Sequence, residues 1–135
     1  MCIRDSYGVQ PPRNLPGTEY SELVPKVDAD GNDIGGIRSV ALEVPLATYM
    51  GWNHRRSGFM ENELCGLQGT TIPFAKTAAD RGADPRPSLQ ERYGSHASYV
   101  AKVEAVVAKL QSEGFMLEED AARVIAEAKQ RNLGF

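Results

Sequence analysis

In the last third of the chain, apolar positions recur every three or four residues. Tyr99, Val100, Val103, Val107 and Leu110 form one stripe at helical spacing, and Leu117, Ala121, Val124, Ile125 and Ala128 form a second. Each stripe predicts an amphipathic helix with one buried face. The punctuation agrees. Ser88-Leu-Gln-Glu91 has capping-box spacing: the serine oxygen can accept the third helical N–H while the glutamate reaches back to the serine N–H. Gly94 is a natural stop for that short helix, Ser95 caps the next, and Gly114 ends it. Glu118, Glu119 and Asp120 occupy the first turn of the last helix, where the helix dipole favours acids. The short link Gly114 to Met116 predicts an antiparallel helical hairpin.

The first half has a different texture. Residues 7–20 hold three prolines, two glycines and no periodicity, and read as an extended lead-in. Short apolar pieces then flank DADGND, Asp28 to Asp33, a cluster of turn formers that predicts a hairpin turn. Val40, Leu42, Val44 and Leu46 alternate with other residues, the period of a strand with one buried face. Pro45 favours an edge or a strand end. Residues 56–87 read as loops, with a helical turn around Glu61 to Leu64 and a turn cluster at RGADPRP. The expected class is α+β: an extended or β-hairpin arm over 20–56, loops over 57–87 and helices over 88–132. So long a loop region is unusual in a free-standing domain, which favours a segment of something larger.

Composition narrows the function. The chain of 135 residues fits one domain with a modest core. It carries a formal charge of −3 with its arginines scattered among acids, so no basic stripe suits a nucleic acid. No run approaches the roughly 20 apolar residues of a membrane span. MCIRDS, residues 1–6, resembles translated sequencing-adapter read-through at the ends of metagenomic reading frames, and is set aside from fold reasoning together with Cys2. Cys65 then has no partner for a disulfide within the chain.

Candidate chemistry is sparse. DADGND begins like a calcium loop, but Asp33 and Ser39 stand where that pattern needs Gly and Glu, so a turn is expected. Cys65 and His54 could serve as nucleophile and base, yet no third group stands at a telling position; a lone cysteine more often packs as a small hydrophobe. His96, just inside a helix, reads as a neutral, solvent-facing side chain. Two histidines without Cys or acid at ligand spacing make a weak metal case, and no cofactor motif is present. The stretch VPLATYMGWNHR stands out. Tyr49, Trp52, Asn53 and Arg55 combine flat apolar area with oriented donors, as a ligand-facing wall does. Against this stands plain packing, the commoner fate of Trp and Tyr.

Six ordered words complete the reading: YSELVPKVDADGND, GIRSV, VPLATYMGWNHR, IPFAKT, DPRPSLQERYG and LEEDAARVIAEA. In this order they resemble the C-terminal region of bacterial alpha/beta hydrolase domain-containing proteins, from about Tyr20 to the end. The resemblance implies a C-terminal segment of a serine-type hydrolase of the α/β-hydrolase fold, acting on a small-molecule ester. The nucleophile and catalytic histidine would lie in an N-terminal catalytic portion upstream, the segment's chief partner, in a parent that is periplasmic or secreted. The family word continues GWN with an apolar residue where His54 stands, and His96 falls in a variable slot, so neither takes a catalytic role. No catalytic residue or metal ligand is assigned here; Tyr49, Trp52, Asn53 and Arg55 are the substrate-binding candidates. A non-catalytic α+β binding or interaction module is the competing reading.

Overall fold

A computed structural model describes residues 25–58, 61 and 69–135. The described elements are α1 (Val40–Glu43), β1 (Ala47–Met50), β2 (Thr70–Pro73), α2 (Leu89–Tyr93), α3 (His96–Ser112) and α4 (Glu118–Gln130). β1 and β2 form a two-stranded antiparallel sheet in which Ala47 faces Pro73 and Met50 faces Thr70. The architecture is α+β, as the patterning predicts.

The helical third follows its apolar stripes. Tyr99, Val100, Val103, Val107 and Leu110 are the buried residues of α3. The capping box forms in full: Ser88 Oγ accepts the Glu91 N–H at 3.3 Å, and Glu91 Oε2 accepts the Ser88 N–H at 2.8 Å. Ser95 Oγ accepts the Ser98 N–H at 3.1 Å at the start of α3. Helix α4 returns antiparallel to α3, because its end lies beside the beginning of α3. His96 Nε2 donates to the Ala128 carbonyl at 3.0 Å, and Lys129 pairs with Glu104 at 3.0 Å. His96 is therefore exposed but engaged, a staple between helix ends rather than a side chain facing only solvent. One stripe position departs from expectation. Leu117 stands just before α4 with 63% of its surface exposed, so the buried face begins at Ala121.

The strand expected over Val40 to Leu46 is corrected. Residues 40–43 form a helical turn and the strand starts at Ala47. Val40 and Val44 fit a period of two, but they are also four apart, which places both on one side of a helical turn. There they meet the core that α3 supplies. Arg38 NH2 donates to the Leu42 carbonyl at 2.6 Å, satisfying an acceptor the short helix leaves open. Pro45 stops the turn.

The loop reading of 57–87 is corrected as well, since β2 lies inside it. Thr70-Thr-Ile-Pro73 is only four residues long and mostly exposed, too short for an alternating pattern to announce it. Its partner makes it a strand. The close approach occurs at Gly69, where a Cβ would sit 2.4 Å from the Met50 carbonyl oxygen. The helical turn expected around Glu61 to Leu64 lies, but for Glu61, outside the described residues, and so does Cys65.

Val44, Phe74, Leu89, Tyr93, Tyr99, Val103 and Val107 belong to one core, completed from the far end by Leu133. Tyr93 and Tyr99 both bring phenols to it, and Tyr93 ties its own to the backbone. Its hydroxyl donates to the Pro45 carbonyl at 2.7 Å, and its ring meets Tyr99 edge-on at 5.2 Å.

Candidate functional site

The DADGND stretch closes as a tight hairpin. Val27 pairs with Asp33, and Gly31 takes φ +80°, a conformation that favours glycine. Asp28 Oδ1 accepts the N–H groups of Asp30 and Asn32 at 2.9 and 3.0 Å, shaping the turn from within. The two side chains that would begin a calcium loop are taken by guanidinium groups. Arg38 bonds Asp28 at 2.9 Å, and Arg92 of α2 grips Asp30 in a two-pronged pair, one prong at 2.7 Å. Among the described residues no group of three or more acidic, histidine or cysteine side chains is placed to hold a metal ion.

The tip of this hairpin docks on β1. The Asn32 side chain is fully buried and behaves as a piece of neighbouring strand. Its Nδ2 donates to the Ala47 carbonyl at 3.1 Å, and its Oδ1 accepts the Tyr49 N–H at 2.7 Å. Thr48 Oγ1 donates to the Asp30 carbonyl and accepts from Arg86 NH1 at 2.8 Å. Arg86 is itself held by Asp84, its Nε 2.9 Å from Oδ1, and reaches the Ile72 carbonyl of β2 at 3.2 Å. Phe74 lies beneath both cations, with the Arg92 and Arg86 guanidinium carbons 4.1 and 5.1 Å from its ring centre. Residues from VDADGN, PLATY, IPF, DPR and ERY thus meet in one polar knot around β1.

Folding lowers three carboxyls in and beside the knot: Asp84, Glu91 and Asp28. The Arg86 guanidinium pulls the Asp84 carboxyl down to about 2, and hydrogen bonds from Ser88 lower Glu91. Burial pushes Asp28 upward, but the Arg38 bond and two backbone N–H groups outweigh it, leaving a net lowering. Carboxyls lowered by folding stabilise the native state above their unfolded value of roughly 4 and lose that contribution as pH falls through the folded value. The melting temperature is therefore expected to be level near neutral pH and to drop steadily between about pH 4 and the Asp84 value of about 2. Thermal melts across that range check it; a flat profile would deny the carboxylates this role.

On its other side β1 borders a half-open cavity of about 200 Å³ among α1, α3 and α4. Val40, Val44 and Val103 give it apolar walls, while Tyr49, Tyr99 and Arg131 bring polar groups. The four wall candidates separate here. Tyr49 lines the cavity, but Trp52, Asn53 and Arg55 do not. Trp52 lies beyond the strand end with 41% of its surface exposed, its ring 4.7 Å from the His54 ring. Asn53 is half-buried and Arg55 exposed. Tyr99 and Arg131 escape sequence reasoning. Tyr99 looks like one more apolar stripe position, although a buried tyrosine hydroxyl ordinarily needs a polar neighbour, a signal that could have marked it.

The family model for the alpha/beta hydrolase domain matches residues 6–126. Neither the curated proteins nor the solved structures contain a significant match. No helix among the described residues is long and apolar enough to cross a membrane. The family match spans nearly the whole chain, and on that evidence the chain belongs to the alpha/beta hydrolase domain family.

Proposed function

We propose that the chain is the C-terminal part of a serine-type hydrolase acting on ester bonds, and that it shapes or covers the substrate cleft. The nucleophile comes from an N-terminal catalytic portion of the same polypeptide. There a serine hydroxyl attacks the ester carbonyl, and histidine takes its proton and returns it to the departing alcohol. Backbone N–H groups hold the oxyanion, and water then releases the acid and restores the serine. The observation that carries this reading is the pinning of β1. Asn32 fastens one edge of the strand and β2 the other, and the exposed Trp52 projects just past the pinned segment. A large aromatic left in solvent at the end of a rigid strand suits contact with a substrate or an opposing wall. Tyr49, Trp52, Asn53 and Arg55 are the residues proposed for that contact.

The test uses p-nitrophenyl esters of short acids. The 135-residue chain alone is expected to show no turnover, whereas the longer polypeptide hydrolyses them. In that longer protein, Trp52→Ala is expected to raise KM about tenfold with little change in kcat, the mark of lost substrate contact. Turnover by the short chain that disappears on replacing Cys65 or His54 would sink the proposal. An upstream reading frame without a nucleophile-elbow serine would sink it too.

A further inference from the structure

The cavity bordered by β1 has the chemistry of a binding site in its own right. Tyr99 is 5% exposed, yet its hydroxyl makes no hydrogen bond to any described residue. Tyr99 lines the cavity that β1 borders. Burial raises the Tyr99 phenol, keeping it a donor at neutral pH, and the positive charge of Arg131 reaches it. Arg131 lines the same cavity and forms no ion pair among the described residues, and Tyr49 adds a second phenol. Among the described lining residues the one carboxylate, Glu127, bonds Arg123 at 3.3 Å, a guanidinium it shares with Asp120 at 2.9 Å. The other described lining residues are valines, alanines and a leucine.

Size limits the ligand. An apolar cavity of about 150 Å³ holds benzene, whereas drug-sized ligands need roughly 300–1,000 Å³. At about 200 Å³ the space suits one ring or a short branched chain plus one small polar group. We propose that this cavity binds a small monocarboxylate with an apolar body, the body against Val40, Val44 and Val103 and the carboxylate facing Tyr99, Tyr49 and Arg131. Charge-assisted bonds from a guanidinium and a phenol favour the anion over a neutral amide of the same shape. The proposal stands apart from the hydrolase reading, because binding is measured without turnover and either can fail alone.

Titration calorimetry on the full 135-residue chain tests it, with benzoate, benzamide and acetate as probes. Benzoate is expected to bind about tenfold or more tightly than either, since benzamide lacks the charge and acetate lacks the body. Arg131→Gln, at an exposed position past the end of α4, is expected to weaken benzoate about tenfold and leave benzamide unchanged. Tyr99→Phe removes only the hydroxyl and should weaken benzoate by a similar factor. Unchanged helical signal and melting temperature in Arg131→Gln would show that its loss is one of binding. Equal affinity for benzoate and benzamide, benzoate binding untouched by Arg131→Gln, or no saturable binding of benzoate overturns the proposal.

Discussion

Replacing Asn32 by alanine is expected to destabilise the protein by about 2–4 kcal/mol, because it orphans two backbone groups at once. The side chain is 0% exposed and bonds the Ala47 carbonyl at 3.1 Å and the Tyr49 N–H at 2.7 Å. The bond to the Ala47 carbonyl is buried and that to the Tyr49 N–H partly so, and each unsatisfied buried group costs about 1–3 kcal/mol. Domains of this size hold roughly 5–15 kcal/mol in total, so the melting temperature should fall by about 10 °C. Asn32→Asp separates the two bonds. It keeps the acceptor for Tyr49 but loses the donor for Ala47 and buries a charge, so it should be at least as harmful. An alanine variant that melts within about 2 °C of the parent would show that the Asn32 clamp is incidental.

The second large effect is expected at the other anchor of the same hairpin. Arg92→Met leaves the Asp30 carboxylate with 15% side-chain exposure and without its two-pronged partner. Breaking a buried pair costs about 3–5 kcal/mol; this pair keeps a little solvent, so about 2–3 kcal/mol is expected. Part of that loss reflects the carboxylate left behind. Converting Asp30 to Asn in the same chain should recover some of it, giving a coupling of about 1–3 kcal/mol in a double-mutant cycle. Two single losses that simply add would mean that Asp30 and Arg92 act independently. Methionine also gives up the guanidinium over Phe74 and the Nε bond to the Pro87 carbonyl, so the cycle rather than the single variant isolates the ion pair.

These two substitutions probe what the ordered sequence words have in common. The words are far apart in the chain: Asp30 and Arg92 are 62 residues apart, and Thr48 and Arg86 are 38 apart. The words that carry DADGND, PLATY, IPF and DPRPSLQERY supply side chains to the knot around β1, and several of their letters hold that strand. The Asp and Arg of DPR bond each other, and the Glu of ERY closes the capping box while its Arg reaches the DADGND turn. The knot thereby sets where Tyr49 and the residues after it emerge. Any substrate contact made by Trp52, Asn53 and Arg55 would depend on it in the same way.

The helical third was legible from sequence because its signals are local. A capping box, a stripe at helical spacing and a terminal glycine each involve residues within one or two turns, and Ser88, the α3 stripe and Gly94 all fall where that logic puts them. The DADGND turn was legible for the same reason. The Val40–Leu46 strand was not, because Val40 and Val44 satisfy the period of two and the spacing of four alike. Only the core against which they pack selects the helical turn. β2 was invisible, since Thr70-Thr-Ile-Pro73 becomes a strand through pairing with Ala47–Met50 across a long connection. Residue types at VPLATYMGWNHR indicated a wall, and the fold divided it, with Tyr49 turned to the cavity and Trp52 left at the surface. By itself the sequence determined helix ends, the turn and the family, which rest on short-range chemistry and on ordered words. The tertiary structure alone decided which polar residues meet and which apolar faces enclose a cavity, because those contacts join residues that no local pattern relates.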